Sequence, residues 1–94
     1  MPITHAEDFF NLKTEIAVQI AVQLGFNPDN PPIHIDDKQA AEALGLKPAT
    51  LAVWRSTGRY NLHYLKVGRL VKYRISDIAE FLASRTFNHT GEVR

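Results

Sequence analysis

A chain of 94 residues, 45% apolar and 22% charged, allows one globular domain with a modest core. The absence of cysteine excludes a disulfide framework and a thiolate zinc site. No apolar run approaches the roughly 20 residues that span a bilayer, and Glu7 and Asp8 precede the apolar run where a signal peptide would be basic, so a cytoplasmic protein with no membrane partner is expected.

Residues 6–24 are expected to form a helix. Phe9, Leu12, Ile16, Ile20 and Leu24 recur at spacings of three and four, and Phe10, Ala17 and Ala21 widen this stripe. Gly25 stands just past its end. Val18 and Val22 fall on the far side, one turn apart. A terminal helix with apolar residues on two faces either lies well buried in its own domain or meets a partner. As a partner surface, Val18 and Val22 are the candidate self-association residues, for a homo-oligomer or a cooperative array on DNA. The stretch "NPDNPP" that follows is a stiff linker, because its prolines remove donors and hold their predecessors extended. Ile33 to Ile35 alternates and reads as a brief strand.

Residues 36–44 read as the next helix, with Asp36 and Gln39 at capping-box spacing and Gly45 as its stop. Ala40, Ala41 and Leu44 form a narrow apolar face that lets a second helix approach closely. Pro48 opens that second helix, Leu51 and Trp54 point inward, and Gly58 closes it. Helix, short turn containing glycine, helix is the order of a helix-turn-helix. Residues 64–75 alternate as a hairpin. Keeping Leu65, Val67, Val71, Tyr73 and Ile75 on one face, and Tyr64, Lys66, Lys72 and Arg74 on the other, requires a three-residue loop with Arg69 at the tip. Such a hairpin beside a recognition helix is a wing. Ser76 is the expected cap of a last helix built on Ile78, Phe81 and Leu82. The expected architecture is mainly α with a small β-hairpin wing: residues 1–32 an extra N-terminal helix and linker, 33–87 a winged helix-turn-helix, and 88–94 a flexible tail.

The charge is segregated. No acidic residue lies between Glu42 and Asp77, while Lys47, Arg55, Arg59, Lys66, Arg69, Lys72 and Arg74 give that window +7 and leave −6 for the remainder. A single-sign block with interleaved Tyr and Trp is the footprint of a nucleic-acid-binding face, against the plainer reading of a solvated basic surface. Ala49, Thr50, Val53 and Thr57 are the outward positions of helix 48–57; small or methyl-bearing, they suit thymine methyls or a single hydrogen bond. Arg55 and Arg59 lie at its edge and end, better placed for phosphates.

The run "LGLKPATLAVWRSTGRYN", followed by "YLKVGRLVKYRISDIAEFLASR", resembles the small winged-helix domains of bacterial and phage excisionases, distant relatives of the MerR-type DNA-binding domain. The resemblance rests on Gly45, the Leu51/Trp54 pair, Gly58, the wing "KVGR" and Arg74 to Ile78 leading to Phe81 and Leu82, and it covers Ile35 to Arg85. Lys47 stands where the family usually has a capping Ser or Thr, and Val53 where a basic residue is frequent. The resemblance implies double-stranded DNA as partner, helix 48–57 in the major groove and the wing 64–74 over the minor groove or backbone. It implies two uses: steering an integrase or other recombinase towards excision of a mobile element, or regulating transcription of its operon. An enzyme is not expected, since His5, His34, His63 and His89 are scattered without carboxylates at ligand or triad spacing and no glycine-rich phosphate loop is present. No cofactor or metal is expected. A protein-interaction adaptor is a more distant alternative, with little use for so many cations on one hairpin.

Overall fold

Local signals set most of the element boundaries in the structure, a computed structural model that describes residues 5–90. Helix α1 (His5–Gln23) is followed by strand β1 (His34–Asp36), helices α2 (Asp37–Leu44) and α3 (Pro48–Thr57), strands β2 (Leu65–Val67) and β3 (Leu70–Arg74), and helix α4 (Ile75–Thr90). The fold is mainly α, with one small antiparallel sheet in the order β1-β3-β2.

Helix α2 carries both halves of a capping box: Asp36 Oδ1 accepts from the Gln39 N–H at 2.7 Å, and Gln39 Oε1 accepts from the Asp36 N–H at 3.0 Å. At its other end the Leu46 N–H reaches the Ala41 carbonyl at 2.8 Å and the Gly45 N–H reaches that of Glu42 at 3.1 Å. This closure needs a left-handed residue, which Gly45 supplies at φ +72°. Three residues, Gly45 to Lys47, then connect to α3. Pro48 takes the first position of α3, where a missing N–H costs nothing, and Lys47 makes no side-chain cap.

The core forms where α2, α3, α4 and the sheet meet. Tyr73, Ile35, Leu51 and Ile78 are the largest fully buried side chains, and Ala40, Ala41 and Ala79 let the helices approach closely. Full burial of a residue such as Leu51 contributes about 1.5–3 kcal/mol. Helix α1 packs along α4. Ile20 and Ala21 of α1 are buried, Ile16, Ala17 and Leu24 pack against the core, and Lys13 Nζ meets Glu80 Oε1 at 3.2 Å. The N-terminal helix is thus part of the same core as the segment that follows the linker.

Several sequence expectations are corrected. Phe10 does not widen the buried stripe: it is 64% exposed. The hairpin loop has two residues, Gly68 and Arg69, because Val67 pairs with Leu70, Lys66 with Val71 and Leu65 with Lys72. Gly68 at φ +60° supplies the left-handed first position of a two-residue turn whose twist matches the strands. All three residues of β2 are exposed, so burial exerts no pull on which face they take. Lys66, Val71 and Tyr73 therefore share the inner face with Ile35, and Leu65, Val67, Leu70, Lys72 and Arg74 share the outer one. Helix α4 begins at Ile75, whose N–H donates to the Ile33 carbonyl at 3.1 Å, and this places Ser76 inside the first turn rather than at the cap. Helix α4 also runs to Thr90, into the stretch expected to be a tail, and residues 91–94 lie outside the described residues. No helix among the described residues is long and apolar enough to cross a membrane.

Candidate nucleic-acid interface

Helix α3 buries Leu51 and turns Ala49, Thr50, Val53 and Thr57 to solvent, with Lys47 exposed ahead of it and Arg59 exposed just beyond it. Val53 is 52% exposed and lies centrally on this face. The Thr57 and Ser56 hydroxyls both donate back to the Val53 carbonyl, at 2.8 and 3.1 Å, which leaves their oxygens as acceptors toward solvent.

Arg55 departs from its expected phosphate-facing position. Its Nη1 donates to Asp37 Oδ1 and, at 3.0 Å, to the Tyr73 hydroxyl oxygen, and its side chain is largely buried. The position is four residues after Leu51, on the flank that turns inward, and the charge is accommodated because a carboxylate and a phenol meet it there. Burial pulls the guanidinium down, but the hydrogen bonds and charges of Tyr73 and Asp37 outweigh it, and its pKa stays above the ordinary value. Burial likewise pushes the Tyr73 hydroxyl up, with Arg55 opposing. Arg55 thus ties α3 to α2 and β3.

The hairpin stands beside α3 and leaves a groove of about 410 Å³ between them, lined by Ala52, Arg55 and Ser56 on the helix and by Tyr64, Lys66, Arg69 and Val71 on the hairpin. No carboxylate lines this groove. Lys66 and Arg69 both reach it: Lys66 because the register turns it inward, Arg69 because it sits in the turn. Lys72 and Arg74 face the other way, and Arg74 Nε is held by Asp77 Oδ2 at 2.8 Å. The basic residues expected on one outer face are therefore divided between two.

Sequence reasoning missed Ala52 and Ser56 as groove residues, although each flanks a residue it did single out, and it set Tyr64 on the face of Lys66 without assigning it to the site. It also missed the turn after α3. Tyr60 and Asn61 both adopt left-handed backbone, at φ +63° and +52°, a conformation that costs a tyrosine of order 1–2 kcal/mol. The cost is offset by packing: the Tyr60 ring lies 4.5 Å from that of Trp54, and the Arg85 guanidinium sits 4.6 Å from the Tyr60 centroid. Trp54 is enclosed between Tyr60 and Phe81, as a half-buried packing residue. Arg85, outside the expected site, closes this stack from α4.

Val18 and Val22, the expected self-association residues, are 43% and 59% exposed on the outer side of α1. Neither belongs to the core. Comparison with protein-family models, with curated proteins and with solved structures gives no match for this chain.

Proposed function

We propose that the chain is a sequence-specific double-stranded DNA-binding protein that works as a winged helix-turn-helix. In this reading α3 enters the major groove with Ala49, Thr50, Val53 and Thr57 toward the bases. One phosphate backbone lies in the groove between α3 and the hairpin, met by Lys66 and Arg69. The observation that carries the reading is this carboxylate-free groove, with two cations from the hairpin, directly beside the exposed face of a short helix. Lys47 adds support. A cation at an uncapped helix N-terminus is unfavourable by itself, and an anion there relieves it.

The pairing pattern sharpens the electrostatics. Arg55 is engaged with Asp37, Arg74 with Asp77, and Lys72 lies on the hairpin face turned away from α3, which leaves Lys47, Arg59, Lys66 and Arg69 for phosphates. The log–log dependence of affinity on salt should then have a slope of about −4 per protomer, rather than the roughly −6 that seven free cations would give. A salt titration of binding to duplex DNA tests this, and affinity independent of salt would overturn the reading.

The resemblance to excisionases extends the proposal: bound near recombination sites, the protein directs a recombinase towards excision of a mobile element. A chain carrying Lys66→Ala with Arg69→Ala should then fail to support excision in an assay with the cognate recombinase. Normal excision by that chain, with DNA affinity lost, would leave regulation of the element's operon as the use of the same surface.

A further inference from the structure

The corrected register gives the hairpin an outer face that DNA in the α3 groove would not cover. Leu65, Val67 and Leu70 lie together there, 46%, 55% and 60% exposed. Contiguous exposed apolar side chains of this kind mark a contact surface. Its rim is positive: Lys72 lies across from Leu65, Arg69 stands at the tip, and no acidic residue occurs from Leu62 to Ser76. Asp36 lies on the far side of Lys72 in the sheet.

The second exposed apolar surface is the outer side of α1. Val18 and Val22 lie one turn apart, with Glu15 exposed on the same side. No Lys or Arg occurs from Thr14 to Asp37. The two surfaces share no residue, both are apolar at the centre, and their rims carry opposite charge.

We infer that the outer face of the hairpin of one copy receives the Val18/Val22 side of α1 of another. Opposite rims favour this pairing over the two symmetric ones. Helix against helix would bring Glu15 towards its own copy, and hairpin against hairpin would do the same with Lys72 and Arg69. The contact is heterologous, so each bound copy still presents one free surface of each kind, and assembly is open-ended. A contact this small belongs to the weak, transient class, below about 1,200 Å². This inference goes beyond DNA binding and is tested without DNA.

The test is sedimentation of the full chain over a concentration series. Two double variants are compared with the parent: Val18→Lys with Val22→Lys, and Val67→Thr with Leu70→Gln. Far-UV circular dichroism and the thermal midpoint check that each folds; should the helix variant unfold, Val22→Gln alone replaces it. The parent should associate progressively at low salt and less at high salt. Each variant alone should associate at least about tenfold more weakly. Mixed, the two variants should form a one-to-one pair that grows no further, because together they retain a single intact pair of surfaces. A parent that stays monomeric to about 1 mM, a hairpin variant that associates like the parent, or variants that fail to pair when mixed would each overturn the inference. The hairpin-variant result would point to symmetric helix pairing instead.

Discussion

Arg55 illustrates how a single side chain divides between fold and function. Its charge argues for the surface, its place on the helix argues for the interior, and Asp37 and Tyr73 settle the matter by meeting it inside. Removing it leaves the Asp37 carboxylate and the Tyr73 hydroxyl without that donor, so Arg55→Ala should lower unfolding stability by about 1–3 kcal/mol. Arg59→Ala, at an exposed position, should change stability by no more than about 0.5 kcal/mol and act on DNA affinity instead. Urea unfolding and a binding titration on the same two variants separate these effects. The Tyr73 hydroxyl carries a pH signature as well. Burial raises its pKa above the ordinary 10.0, so the stability it contributes is complete below that value and is lost as pH rises past it towards the folded-state pKa. Tyr73→Phe should flatten the fall in stability above about pH 10, seen as the difference between the two unfolding curves. Neither role was legible in the sequence, because Asp37 and Tyr73 each stand eighteen residues from Arg55 and only the fold brings them together.

Among the elements, helices α2 and α3 were the most legible. Asp36 with Gln39, Gly45, Pro48 and Gly58 all act within a turn of where they stand, so α2 and α3 follow from local chemistry. The hairpin was legible as a hairpin but not in its register. Alternation reports a register only when one face is buried, and β2 has no buried residue. Gly68 decides it instead. A Cβ at Gly68 would meet nothing within 4 Å, so the cost of Gly68→Ala comes from its φ of +60° alone. That substitution should destabilise by roughly 1 kcal/mol and loosen the turn that carries Arg69. A normal thermal midpoint would show that the turn tolerates another geometry. On α3, Val53 projects a branched apolar side chain from the middle of the exposed face. Val53→Ala should change discrimination among DNA sites in competition binding and leave affinity for random duplex almost unaltered. A uniform loss on every sequence would mean that α3 does not face the bases.

At the scale of the whole molecule, the apolar stripe of α1 was legible, but the surface that receives it was not. The linker "NPDNPP" separates α1 from the remainder in sequence, while packing along α4 rejoins them in space. Residues 33–94 alone would lack Ile20, Ala21 and the cover over α4. Each fully buried large apolar side chain contributes about 1.5–3 kcal/mol, and a domain of this size has only about 5–14 kcal/mol in total. The 33–94 fragment should therefore lack a cooperative thermal transition, and a sharp one by circular dichroism would show that the helix is dispensable. The junctions of the sheet have a further consequence. Strand β1 passes into α2 between Asp36 and Asp37, and β3 passes into α4 between Arg74 and Ile75, with no intervening residue at either place. No loop residue stands at either junction to absorb changes in φ and ψ, and Arg55 ties α3 to α2 and β3 in turn. The face offered to a partner is thus set before the encounter, so binding should be a single kinetic step, with a rate linear in concentration and no slow phase of ordering.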